Sequence, residues 1–305
     1  MALGTNHVTK TTADKFIPEI WSDEIIAAYK KNLVAANLFS KMSFKGKKGD
    51  TLHIPKPTRG DAAAKAASTQ VTLIAATETE VQVLINKHYE YSRLIEDIVE
   101  VQALSSLRKF YTDDAGYALA KRVDTDLVEL GRGANGGTAG DADYTGAYLG
   151  GDGTTAYVDG TTTATALADS AIRRTIQRLD DNDVPMTDRF IIIPPVARNT
   201  LMGLNRFTEQ SFTGEVGSAN TIRNGQIGDV YGMKVYVSTN ADTATAGGRI
   251  VLIAHKDAFV LAEQMGVRSQ TQYKQEYLGT LFTSDMLYGV AELRDSSAFA
   301  LVVPA

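Results

Sequence analysis

The chain has 305 residues and a net charge of −5, with 44% apolar and 22% charged residues. That is the balance of a foldable chain of one or two domains, and it excludes a collagen-like fibre, a mainly disordered polypeptide and a polytopic membrane protein. There is no cysteine, which excludes disulfides, thiolate metal sites and cysteine nucleophiles.

The four histidines, His7, His53, His88 and His255, lie far apart and form no local metal motif. No apolar run is long enough for a membrane-spanning helix, and the first seven residues are polar rather than a signal core. Charge is uneven. Residues 1–49 hold eight lysines against four acids, a net of +4, so the remainder carries −9. A basic arm on an acidic body suits an acidic partner or another copy of the chain, but from charge alone a solvated lysine-rich surface is the simpler reading.

In chain order, residues 1–20 read as an extended arm. Trp21, Ile25, Ile26, Tyr29, Leu33 and Leu38 predict a short amphipathic helix over Trp21 to Phe39. Thr51 to Pro57 is strand-like, but Pro55 and Pro57 exclude a central strand. Arg59 to Gln70 is small, polar and alanine-rich. From Thr79 the pattern alternates, with Val81, Val83, Ile85, Tyr89 and Tyr91 on one face. These pieces predict one long hairpin arm reaching ~60 Å if fully extended. A lone two-stranded ribbon is marginal in water, so the arm needs another surface to lie on.

A helix from about Ile95 to Leu130 follows, uninterrupted by proline and ~50 Å long at ~1.5 Å per residue. Gly131 ends it. Residues 131–160 hold ten of the 26 glycines and read as a loop or surface hairpin. Leu167 to Leu179 is helical. Asp188 to Ile193 is a buried strand stopped by Pro194-Pro195, and Val196 to Phe207 is a helix. Residues 208–226 form a polar loop. The rest is mostly β: Met233, Val235 and Val237 alternate, Ile250 to Ala254 and Ala258 to Ala262 are apolar runs, and Met286 to Val303 holds two strands around Arg294-Asp295-Ser296.

Chemical motifs are poorly supported. Gly131-Arg132-Gly133-Ala134-Asn135-Gly136 fits G-x-G-x-x-G, but a helix precedes it where a dinucleotide site needs a strand. Asp141, Asp143 and Asp152 form a partial calcium loop without its final Glu, and turn chemistry is the simpler reading of those residues. Arg59-Gly60-Asp61 is an adhesion-type tripeptide at a hairpin tip. His255-Lys256-Asp257 sits between two strand runs, where a polar turn is the simpler reading. No nucleophile elbow or Walker loop is present, and no basic stretch interleaved with aromatics marks a nucleic-acid reader.

What remains is shape: an arm, a long hairpin and a spine helix that cannot bury themselves, in the manner of subunits that complete one another. In this order, the chain resembles the major capsid (coat) proteins of tailed bacteriophages, the Hong Kong 97-like fold. The resemblance rests on Lys15-Phe16-Ile17-Pro18-Glu19-Ile20-Trp21-Ser22, on Phe44-Lys45-Gly46 through Ile54-Pro55, on Asn224-Gly225-Gln226-Ile227-Gly228-Asp229-Val230-Tyr231-Gly232-Met233-Lys234-Val235-Tyr236-Val237-Ser238, and on Tyr288-Gly289-Val290-Ala291-Glu292-Leu293-Arg294 with Ala298 to Val303.

The resemblance implies an α+β fold with an N-terminal arm (1–45), an extended β-hairpin loop (46–92), a peripheral domain with the spine helix (93–165 and 264–305) and an axial domain (166–263), whose loop Thr208 to Asn224 lies at the symmetry axis. It implies a non-enzymatic virion protein, assembled in the host cytoplasm, without cofactor, metal or membrane. Its implied partners are itself, in hexamers and pentamers, a separate scaffolding protein, a portal protein, a cement protein and packaged double-stranded DNA bound without sequence specificity. Lys56, Arg59, Asp61, Lys65, Val81, Val83, Ile85, Tyr89 and Tyr91 are the expected intersubunit contacts, the charged ones setting register. No Lys–Asn crosslink is expected, although Lys65 lies in the loop. An encapsulin-type nanocompartment shell and a soluble α/β nucleotide-binding enzyme using Gly131 to Gly136 are the alternatives.

Overall fold

The computed structural model describes residues 33–46, 48–57, 60–71, 73, 78–98, 106–138, 142–204, 228–245 and 247–305. The expected arm, most of the Trp21 to Phe39 helix, Arg59, Asp141 and the loop Thr208 to Asn224 lie outside those residues.

A six-stranded sheet forms the centre. Its order is β5 (Tyr148–Leu149), β12 (Ala298–Val303), β9 (Arg249–His255), β6 (Arg189–Ile193), β8 (Met233–Val237) and β7 (Asp229–Val230). β6 and β12 are buried at every position. Such strands read as continuous apolar runs because both faces of the sheet are covered.

Alternation along each strand sorts the two faces. Phe190, Ile192, Leu252, Ala254 and Ala298 pack with Leu119, Val123 and Leu127 of helix α2 (Ser106–Glu129). Ile191, Ile193, Val251, Ile253, Phe299, Leu301 and Val303 face helices α3 (Asp169–Asp181) and α4 (Pro195–Met202), meeting Ile172, Leu179, Ala197 and Leu201. α3 is amphipathic for this purpose, and α4 starts on Pro195, whose fixed φ suits a first helical position.

A second sheet has the order β1 (Ser40–Ser43), β10 (Phe259–Lys274), β11 (Gly279–Glu292) and β4 (Lys87–Glu96). Phe259 and Leu261 of β10 point into the α2 core, and Met286 and Tyr288 of β11 belong to the same cluster. Val260 and Ala262 lie on the opposite face with Val83 and Ile85. A short helix, α1 (Ala35–Leu38), precedes β1 and packs on α2 through Ala35. Its first backbone N–H, on Ala35, donates to Asp124 Oδ1 of α2 at 2.7 Å. Asn240 Nδ2 donates to Asp124 Oδ2 at 3.0 Å.

The third sheet is the hairpin of β2 (Thr51–Lys56) and β3 (Thr79–Leu84), paired from Thr51↔Leu84 to Lys56↔Thr79.

Three expectations need correction. The alternating stretch from Val81 to Tyr91 is two strands. β3 ends at Leu84, and β4 turns into the second sheet, where Tyr91 pairs with Ser284. The long helix does not begin at Ile95, because Ile95 pairs with Thr280 on β11; apolar spacing over so few residues fits a strand as well as a helix. Residues 131–160 are not a surface hairpin. Tyr144, Ala147, Leu149 and Tyr157 are buried against Ile250, Ala300 and Val302, and β5 joins β12 in parallel.

Candidate assembly interface

The hairpin leaves most of its described residues exposed. Residues 60–71 and 73 are exposed wherever described, Val71 at 65% and Leu73 at 90%. Its root is anchored in this chain. Val83 and Ile85 are buried on Val260 and Ala262, with Leu52 and Ile54 beside them. Gly289 of β11 lies beneath the crossing, where a Cβ would stand 2.2 Å from the Leu84 carbonyl oxygen. Across the hairpin, His53 Nδ1 lies 3.0 Å from Glu80 Oε2, and Gln82 Nε2 donates to Glu80 Oε1 at 2.7 Å. The hydrogen bonds from Gln82 and then His53 hold the Glu80 carboxyl below its ordinary range.

The expected contact residues therefore divide. Lys56, Asp61 and Lys65 are exposed, and Val81 is half-buried. Val83 and Ile85 face this chain's own sheet and are not on offer to a neighbour in this conformation. Tyr89 packs on Tyr288 with ring centroids 5.9 Å apart. The Tyr91 hydroxyl donates to Asp114 Oδ2 at 3.0 Å and accepts from Arg93 Nε at 2.6 Å. Both tyrosines belong to the β4–α2 contact rather than to the hairpin.

A second exposed apolar group was not anticipated from the sequence. β10 and β11 run on past the core as a long ribbon, and its turn carries Tyr277 at 63% and Leu278 at 67% exposure. Tyr273 and Leu94 are exposed nearby on the flanking strands. The tip is tied to β4: Asp97 N–H donates to the Leu278 carbonyl at 2.9 Å, and the Tyr273 hydroxyl donates to Asp97 Oδ2 at 2.7 Å. Closer to the core, Asp285 accepts both Arg268 nitrogens, at 3.0 and 2.7 Å, and pairs with His88 at 3.2 Å. The hydrogen bonds from Arg268 first, and then from His88, hold the Asp285 carboxyl below its ordinary range. The only signal in the sequence was a run of β-tolerant residues, Arg268-Ser269-Gln270-Thr271-Gln272-Tyr273, whose polarity hid it.

The other motifs have structural jobs. After α2, the turn at Leu130–Arg132 leads to Asn135 and Gly136 at positive φ. Gly136 N–H donates to Asp295 Oδ1 at 2.8 Å, so the glycines fasten a loop to the β11–β12 connection. Asp152 caps its own turn, accepting from Thr154 and Thr155 N–H at 2.9 and 3.1 Å. Asp143 accepts from the Tyr157 hydroxyl at 3.1 Å and from Thr245 N–H at 3.2 Å. His255 Nδ1 accepts from Asp257 N–H at 3.1 Å in the β9–β10 turn.

A family model described as phage capsid protein matches residues 96–302. Among solved structures, that of Mycobacterium phage Che8 is similar at TM-score 0.75 and 22% identity, covering 94% of this chain and 97% of that one. The capsid structure of the cyanophage P-SCSP1u is similar at TM-score 0.75 and 19% identity, covering 99% and 96%. The mature capsid of bacteriophage PhiM1 is similar at TM-score 0.70 and 14% identity, covering 94% and 92%. No curated protein matches the chain.

Proposed function

The chain belongs to the phage capsid protein family, a major capsid subunit of the virion, and we propose how its parts divide the work of closing a shell. The observation that carries this division is the hairpin, rooted on Val260 and Ala262 yet exposing Val71 and Leu73 far from any core of its own. An exposed apolar segment on a rooted ribbon gains by lying on a neighbouring copy, where its area leaves water. Lys56, Asp61 and Lys65 set register there by charge, with Arg59 in the same stretch. Val81 completes the contact from the hairpin's half-buried edge.

In this reading, residues 46–86 are the overlapping loop, since residues 87–92 of the expected 46–92 loop lie in β4 on the second sheet; α2 and the β10–β11 ribbon belong to the peripheral part, and residues 166–263 form the part around the local axes. β12 crosses that division, since it pairs with β9. Copies arranged as hexamers and pentamers close an icosahedral shell in the host cytoplasm. A separate scaffolding protein guides closure, a portal protein takes one vertex, a cement protein reinforces the lattice, and double-stranded DNA is enclosed without sequence specificity. The role is structural rather than catalytic.

Negative-stain electron microscopy of the full chain, with and without co-expressed scaffolding protein, tests this. Closed shells or capsomer rings are the expected result. Uniform monomers under both conditions would overturn it.

A further inference from the structure

Beside α2 lies an open groove of about 490 Å³, walled by the helix face of Ala118, Lys121, Arg122 and Thr125 and by the β8–β9 connection with Arg249. Its lining holds three cations and one carboxylate, Asp242. That carboxylate is already occupied. Arg132 grips it through Nε at 2.9 Å and Nη2 at 3.2 Å, and the Tyr144 hydroxyl donates to it at 2.8 Å. Arg122 reaches Asp126 Oδ1 at 3.0 Å but stays 44% exposed, and Asp126 is shared with Lys87 at 3.1 Å. Arg249 is steadied by a backbone carbonyl, donating to Ala241 O at 3.1 Å. Among the described residues, Lys121 has no carboxylate within ion-pair distance.

We propose that this groove is an anion site that takes the phosphodiester backbone of a polynucleotide. The cations stand on a helix face and at the start of a central strand, so the backbone that carries them is fixed before binding. Two are arginines, whose planar fork matches phosphate oxygens. The rest of the lining is alanine, threonine and Asn240, with no aromatic to stack a base and no apolar pocket of the kind that anchors a peptide. Contacts of this sort position a backbone without reading sequence. Outside residues 1–49 the chain carries a net −9, and the groove localises attraction on that acidic body. The choice of polynucleotide rests on the shell reading above, whereas the binding itself is measured on unassembled subunits.

The test is fluorescence anisotropy of a labelled short DNA duplex with soluble full-length subunits over a salt series. Wild type is expected to bind, with equal affinity for a duplex of scrambled sequence. Lys121→Gln/Arg249→Gln is expected to lose about tenfold in affinity and to lower the log–log salt slope by about two. Lys121→Gln alone, on the helix surface, is expected to lower it by about one even if the double variant proves unstable. Lys256→Gln, in the distant β9–β10 turn, leaves binding unchanged. Variant curves that superimpose on wild type would overturn the site, as would displacement of the duplex by polyglutamate at equal charge. Neither result bears on whether shells form, which microscopy reads separately.

Discussion

Leu84 and Gly289 are locked together by the absence of a side chain: the Leu84 carbonyl occupies the space where a Cβ at position 289 would stand, 2.2 Å from its oxygen. Because the obstruction is backbone, no rotamer change relieves it. Gly289→Ala is expected to lift the hairpin from its seat at a cost of about 1–3 kcal/mol, with shell yield falling. Limited proteolysis should show faster cleavage between residues 57 and 78 than in wild type. Unchanged proteolysis would mean that the crossing is not the hairpin's anchor.

Two apolar residues of the hairpin should separate folding from assembly. Val83 is fully buried and Leu73 is 90% exposed. Val83→Asp places an unpaired charge in the core and is expected to reduce the folded fraction of the subunit itself. Leu73→Asp is expected to leave the thermal midpoint within a degree or two of wild type while reducing shell formation, by the ordinary tolerance of exposed positions. Circular-dichroism melts and sedimentation of shells read the two effects. Normal shells from Leu73→Asp would remove that residue from the contact.

Asp124 serves α1 and the β8–β9 connection together, through Ala35 and Asn240. Burial, its largest influence, raises its pKa above the ordinary carboxylate value, with the Asn240 and backbone hydrogen bonds opposing it. Asp124→Ala leaves buried donors unmatched and is expected to cost about 1–3 kcal/mol in urea unfolding. Asp124→Asn, which keeps an acceptor, should recover part of that loss.

Glu292 gives a pH signature. Burial first, and the Asp295 charge second, raise its pKa to about 7 from 4.5. Its Oε1 is buried and has no hydrogen-bond partner among the described residues. A carboxyl raised on folding contributes stability in full below its unfolded value, and that contribution is lost as pH rises through the folded value. Between about pH 5 and pH 8 the wild-type melting midpoint should therefore fall more than that of Glu292→Gln. Parallel curves for the two proteins would place the pH dependence elsewhere.

Strands β6, β9 and β12 were plain in the sequence because burial on both faces writes an uninterrupted apolar run, as in Phe190-Ile191-Ile192-Ile193. The helices α3 and α4 were equally plain, marked by periodicity and by Pro194-Pro195. The joint at Ile85-Asn86 was not, since Tyr89 and Tyr91 continue the alternation of Val81 and Val83 while pairing with a different strand. Residues 131–160 misled by composition. Glycine marks tight approach as well as open loop, and at Gly150 a Cβ would meet Val303 at 2.7 Å. Of the expected contact surface, exposed charges such as Lys56 and Lys65 could be chosen from sequence. Which apolar residues face outward could not, because both Val83 and Leu73 are apolar and only tertiary packing assigns their direction.

The position of β12 between β5 and β9 sets a timetable for biosynthesis. β5 and β9 are made first, about 150 and 45 residues earlier by chain position; β9 can pair with β6 at once, but its other edge, and β5 altogether, wait for Ala298 to Val303 to leave the ribosome. A nascent subunit therefore carries an unclosed sheet until β12 emerges, and long-range pairing of this kind is slow to form. Polymerisation on the polysome is disfavoured by this order of events, since the rigid body that would join a lattice is completed only by the last-made strand of the sheet. The same delay makes the interval before β12 has docked the period in which chaperone protection would matter most.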